Sequence, residues 1–109
     1  ILIMGFSFKE NCPDIRNTKV MDVFRILKKK GALVDVYDPW VNKNEVLDSY
    51  SIQTLDYPEQ NKYDAIIVAV PHNEFVEMGG STISQFGKKD SIIFDLKHIL
   101  DKKYSDLRL

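Results

Sequence analysis

The chain has a single cysteine, Cys12, no excess of either charge and no long apolar run. A lone cysteine excludes an intramolecular disulfide and any metal site built from cysteines alone, and it fits a reducing compartment. The 15 Lys and Arg residues are balanced by 16 Asp and Glu, so no overall field draws the protein to nucleic acid or to an anionic membrane. No stretch approaches the roughly 20 apolar residues needed to span a bilayer, and no basic segment precedes a cleavable signal. A cytoplasmic location is expected, with neither nucleic acid nor membrane as a partner. Internal repeats, linkers and metal-ligand spacing of His or Cys are also absent. So are the G-x-G-x-x-G and G-x-x-x-x-G-K-[ST] phosphate loops. Any anion site must therefore be local.

What is present is an alternation of apolar runs and amphipathic stretches within 109 residues, the length of one domain. Ile1 to about Phe6 reads as a strand. Pro13 opposes helix in the polar loop that follows, and Asn17 or Thr18 is placed to cap a helix running to about Lys30. Val20, Val23, Phe24 and Leu27 give that helix a buried face. Lys28, Lys29 and Lys30 favour its last turn, and Gly31 ends it. Leu33 to Tyr37 reads as a second strand closed by Asp38-Pro39, Asn42 to Leu47 as a short helix, and Ser51 to Thr54 as a short edge strand. After a polar connection from Tyr57 to Tyr63, the β-branched run Ala65 to Val70 suits a strand covered on both faces, stopped by Pro71. A helix is expected within Asn73 to Phe86, interrupted at Gly79-Gly80. Ser91 to Asp95 is the last strong strand, and Ile99 to Leu109 is a short mixed tail. The pattern predicts an α/β fold, a Rossmann-like three-layer αβα sandwich with a mainly parallel sheet. The chain opens inside a strand-like run without an initiator Met. That is expected of a piece of a longer polypeptide whose missing part lies on the N-terminal side.

The loop from Gly5 to Thr18 leaves the carboxyl end of the first strand, the edge at which open α/β sheets bind ligands. It carries Lys9 and Arg16, two cations suited to an anion such as a diphosphate. An equally ordinary reading pairs Arg16 with Asp14 or Glu10 and leaves Lys9 solvated. Asp38 stands where a dinucleotide fold places an acid for ribose hydroxyls, but a turn or cap suits Asp38-Pro39 better without the glycine fingerprint. Cys12 has no general base placed by sequence, so an incidental thiol is the better reading. His72 either faces the ligand crevice or bonds backbone in its loop. Lys97 lies just beyond the last strong strand, on the same sheet edge as Lys9 if the strands are parallel.

Four ordered blocks carry a resemblance. They are Gly5-Phe6-Ser7-Phe8-Lys9 with Asp14-Ile15-Arg16-Asn17-Thr18, then Val36-Tyr37-Asp38-Pro39, then Ala69-Val70-Pro71-His72-Asn73-Glu74-Phe75, and last Phe94-Asp95-Leu96-Lys97 with Asp106-Leu107-Arg108-Leu109. Across essentially the whole chain they resemble the C-terminal domain of the UDP-glucose/GDP-mannose dehydrogenase family. Pro71 stands where a small residue such as Ala is usual. The form of Lys9 to Thr18 is most similar to bacterial dehydrogenases of UDP-N-acetylhexosamines, which make uronic acids for surface polysaccharides.

The resemblance implies a single UDP-sugar-binding domain over residues 1–109, from an enzyme that oxidises the sugar C6 alcohol to a carboxylate with NAD. It implies that Phe8 and Lys9 bind the UDP-sugar and that Arg16 reaches NAD held mainly by an N-terminal domain. Lys97 falls at a basic position, often Arg, that helps hold the UDP-sugar. The family's nucleophilic cysteine lies in a Gly-Phe-Gly-Gly-Ser-Cys-Phe-Pro-Lys-Asp segment that this chain lacks, and Cys12 does not match it. No catalytic residue is expected here, and the domain alone is expected to be inactive. Its own N-terminal and central helical domains are its expected partners, in a homo-oligomeric whole enzyme. Two other readings are a receiver-like, flavodoxin-type regulatory domain and a purely interdomain or oligomer contact. The last would use Phe6, Phe8, Tyr37 and Trp40 as an exposed apolar edge.

Overall fold

Each strong apolar run becomes a strand, and the strands all run the same way. The structure is a computed structural model describing residues 1–108; Leu109, the end of the expected tail, lies outside the described residues. The strands are β1 (Leu2–Met4), β2 (Asp35–Tyr37), β3 (Tyr63–Val68), β4 (Gly87–Asp95) and β5 (Leu107–Arg108). They form one sheet in the order β2-β1-β3-β4-β5, with every neighbouring pair parallel. Met4, Val68 and Asp95 stand in register, so the carboxyl ends of β1, β3 and β4 form one edge.

Alternation along the strands separates the core into two layers. Ile3, Val36 and Val70 pack with Val20 and Met21 of α1 (Val20–Lys29) and Val46 of α2 (Lys43–Tyr50). Leu2, Met4, Ile66, Val68 and Ile93 pack with Phe75 and Ile83 of α3 (Asn73–Ser84). Helices thus cover both faces, giving the expected three-layer αβα sandwich. Because β1 connects to β2 on one side while β3 lies on its other, the winding reverses between β1 and β3. This is the flavodoxin-like variant of the doubly wound order.

Several boundaries move for local reasons. The α1 helix begins at Val20, not at Asn17 or Thr18, because Asn17 has φ +58° and the Thr18 hydroxyl donates to the Phe6 carbonyl at 2.6 Å. That hydroxyl still receives the Val20 N–H at 3.3 Å. At the other end Gly31 N–H bonds Lys28 O and Ala32 N–H bonds Leu27 O, the paired closure of a Schellman motif. Asn42 caps α2 by accepting from the Asn44 and Glu45 N–H groups. The α3 helix kinks at Gly79, as the Gly79-Gly80 pair predicts.

Ser51 to Thr54 is not a strand. Leu55 N–H bonds Val36 O at 2.8 Å, while Ile52 packs in the α1 layer and Leu55 against the opposite one. A segment that turns round the edge of β2 cannot continue a ladder along it. The tail also differs from expectation. A 3₁₀ turn, Lys102–Tyr104, leads to β5, which adds to β4, so Lys97 lies in a β4–β5 connection and not after the final strand.

Gly5 closes β1 with φ +97°, and its N–H bonds Tyr37 O. A Cβ there would stand 2.6 Å from Val70 Cβ and 2.8 Å from Val70 N, so β1 and the end of β3 touch where ligands are expected. Gly31 also has positive φ, but a Cβ there would meet nothing within 4 Å. Gly31→Ala should cost about 1 kcal/mol, a backbone term alone. Gly5→Ala adds overpacking and should cost about 2–4 kcal/mol in denaturant unfolding.

Candidate functional site

The crevice between the carboxyl ends of β1 and β3 is the place where a doubly wound sheet binds its ligand. At that place the loop after β1, which carries Phe8, Lys9 and Arg16, meets the turn after β3, which carries His72, through the Asn11 N–H bond to the His72 ring. Strand spacing puts the ends of β1 and β4 about 10 Å apart with β3 between them. Lys9 and Lys97 therefore sit on one edge, and both are exposed. Phe8 is 55% exposed beside them. The structure brings all four residues expected of the site to this edge.

Beneath the loop lies a buried polar knot. Asp38 Oδ2 accepts the Phe6 and Ser7 N–H groups at 2.6 and 3.0 Å and meets His72 Nε2 at 2.9 Å. Its Oδ1 accepts the Trp40 N–H at 2.8 Å, the turn-capping role suggested by Asp38-Pro39. On the far side of the ring, Nδ1 accepts the Asn11 N–H at 2.9 Å, so the imidazole proton is on Nε2, where it is donated to Asp38. Burial would push the Asp38 carboxyl up, but His72 and the two N–H donors outweigh it and hold the group below the ordinary carboxylate range. With both side chains fully buried, Asp38 cannot reach a ribose hydroxyl in solvent or accept a phosphoryl group as a receiver acid would. The Ser7–His72–Asp38 grouping is not a nucleophilic triad either. Ser7 Oγ and Asp38 Oδ2 both face Nε2, and the Ser7 hydroxyl donates to Lys9 O.

Arg16 takes the ordinary partner. Its Nε and Nη2 donate to the two oxygens of Asp14, each at 3.0 Å, while its side chain stays 85% exposed. The pair borders a cleft of about 540 Å³ that is walled on the other side by Trp40, Asn42 and Glu45. It also borders a smaller recess of about 180 Å³ beside Phe8. A cleft of about 580 Å³ lies at the opposite, amino-terminal edge, around Leu33, Tyr63 and Lys88. It contains none of Phe8, Lys9, Arg16 and Lys97.

The proposed apolar contact edge is half lost. Phe6 is fully buried and Tyr37 nearly so, because both pack under the loops they precede; Phe8 and Trp40 remain exposed. Trp40 stacks on His72 and donates its indole N–H to Glu74. Cys12 is a partly buried free thiol. Among the described residues no group of three or more His, Cys, Asp or Glu could hold a metal ion, and no helix is long and apolar enough to cross a membrane. Asn11 escaped the sequence reading, although a polar residue between Lys9 and Pro13 was the available signal. Its φ of +54° and its side-chain bond to Asn73 N–H appear only in three dimensions.

Comparison with known proteins adds independent findings. The profile of the UDP-glucose/GDP-mannose dehydrogenase family, UDP binding domain, matches residues 2–102. A UDP-N-acetyl-D-glucosamine 6-dehydrogenase of Pseudomonas aeruginosa is 48% identical over 109 residues, all of this chain and 26% of that protein. One of Salmonella typhi is 49% identical over the same length and share. The solved structure of a UDP-D-ManNAc dehydrogenase from Pyrococcus horikoshii superposes with a TM-score of 0.72 at 25% identity, covering 93% of this chain and 22% of that one. The chain spans about a quarter of the length of the curated relatives it matches.

The Arg16 pair sets a measurable titration. Its side-chain and backbone bonds hold the Asp14 carboxyl at about 2, against the ordinary 3.8, with Lys9 adding a weaker pull. The pair's contribution is complete above pH 3.8 and is lost as pH falls through about 2. Carboxyl-detected NMR should show that midpoint, and Arg16→Ala should return it toward 3.8.

Proposed function

The chain belongs to the UDP-glucose/GDP-mannose dehydrogenase family, and on that premise we propose that it is the UDP-sugar-binding domain of an NAD-dependent 6-dehydrogenase. Residues 1–109 form the carboxyl-terminal unit, and N-terminal NAD-binding and central domains complete the enzyme. The observation that carries this reading is the presentation of Phe8, Lys9 and Lys97 on one carboxyl edge across the β1–β3 switch point. The identity near one half to UDP-N-acetyl-D-glucosamine 6-dehydrogenases favours a UDP-N-acetylhexosamine as the substrate.

In this reading Lys9 and Lys97 neutralise the diphosphate of the UDP-sugar from two sides. Neither lysine depends on fork geometry, so each acts as a mobile point charge. Phe8 offers an exposed ring at the same mouth. Arg16 is a fit for the cofactor's anionic part. Its bond to Asp14 uses two of five N–H donors and orients the rest outward on an exposed side chain. When bound, NAD supplies the hydride acceptor that oxidation of the sugar alcohol requires. This chain's residues bind and orient; the reacting groups come from the rest of the enzyme.

Steady-state kinetics of the full-length enzyme test these roles. A charge-assisted contact is worth about 1.5–3 kcal/mol, so Lys9→Ala should raise the KM for the UDP-sugar about 10- to 100-fold. Arg16→Ala should instead raise the KM for NAD. Unchanged constants in both variants would reject the assignments. The 109-residue chain alone should produce no NADH.

A further inference from the structure

His72 is completely buried, yet it lies one loop away from the exposed Lys9. Its two nitrogens do different work. Nε2–H is anchored on Asp38, which itself holds the Phe6 and Ser7 N–H groups. Nδ1 takes the Asn11 N–H, and the Asn11 side chain in turn takes the Asn73 N–H at the start of α3. Ser7 Oγ closes onto Lys9 O, and Phe8 N–H onto Asp14 O. The backbone on either side of Lys9 is thus tied through one imidazole to the ends of β2 and β3.

We propose that His72, as the neutral Nε2–H tautomer bridging Asp38 and Asn11, is a positioning residue for UDP-sugar binding. It holds the β1 loop at the height from which Lys9 meets the diphosphate. This rests on the reading that Lys9 contacts the UDP-sugar. Asp38 is the charged group bonded to the ring. Trp40 and Phe75 cover its faces, and Glu74 acts only through the indole. The ring makes no approach to substrate of its own. Its effect is geometric: a loop that settles off its position weakens the Lys9 contact, whose full loss is the roughly 10- to 100-fold KM change of Lys9→Ala.

Steady-state kinetics of the full-length enzyme provide the test, in a cycle of Lys9→Ala, His72→Gln and the double variant. Glutamine can still donate to Asp38, which spares the buried carboxylate, but it offers no acceptor at the Nδ1 position. His72→Gln should raise the UDP-sugar KM about tenfold and leave kcat and the NAD KM within about twofold, with almost no further effect once Lys9 is Ala. An unchanged KM, or the same loss in both backgrounds, overturns the proposal, because general destabilisation would act independently of Lys9. If Lys9→Ala itself leaves the UDP-sugar KM unchanged, the site reading fails and this proposal with it. If only His72→Gln is silent, the site reading stands.

Two measurements remain informative should His72→Gln fail to fold. Asn11→Gly suits the positive φ and removes only the bond to Asn73, so it should raise the same KM by a smaller factor that again vanishes in the Lys9→Ala background. An additive effect there counts against the proposal. Nitrogen-15 shifts of the wild-type imidazole should show a protonated Nε2 and a bare Nδ1; a proton on Nδ1 overturns it.

Discussion

A carboxylate sealed beneath the edge of a sheet needs donors on every side, and the way Asp38 obtains them organises this domain. An unpaired buried charge costs several kcal/mol, and removing one partner of a buried pair costs about 3–5 kcal/mol. Asp38 is supplied by two N–H groups of the β1 loop, one from its own turn and one from an imidazole beyond β3. Three separate segments must therefore meet at one point before the charge is satisfied. Local disorder in any of them would strand it, so the loop that bears Phe8 and Lys9 is as well determined at its base as the strands are.

Topology explains why this knot lies under a ligand edge. The chain reverses its winding between β1 and β3, the place where doubly wound sheets bind ligands, and Gly5 lets the two backbones close to contact there. Nothing in the net charge of the protein favours an anion. Lys9, Arg16 and Lys97 are local exceptions, carried on loops that leave the carboxyl edge of the sheet. The result is a fixed polar base with exposed lysines on the loops above it.

Some of the site is legible in the sequence, and some is not. The strand-end position of Lys9 and Lys97 follows from hydrophobic runs that stop just before them. The pairing of Arg16 with Asp14 was among the open readings, because two residues of separation suffice for it. The alternative reading of an exposed apolar edge loses Phe6 and Tyr37, since burial of an aromatic at a strand end depends on what folds over it. Ser51 to Thr54 has the composition of a strand, but the segment turns round β2 and, among the described residues, bonds it through Leu55 N–H to Val36 O. The exclusion of a regulatory phosphoacceptor role for Asp38 also required its burial to be seen.

The sequence by itself determined the alternation of strands and helices, the buried face of α1, its end at Gly31, the break at Gly79-Gly80 and the family resemblance. All of these are written in short-range periodicity and contiguous motifs. Only the tertiary structure decided how the site is held. Asp38 reaches Phe6 across 32 positions and His72 reaches Asn11 across 61. Contacts of that separation leave no periodic trace, because each partner is an ordinary polar residue in its own neighbourhood. Their meaning arises when parallel strands bring the loops to one edge and exclude water from between them.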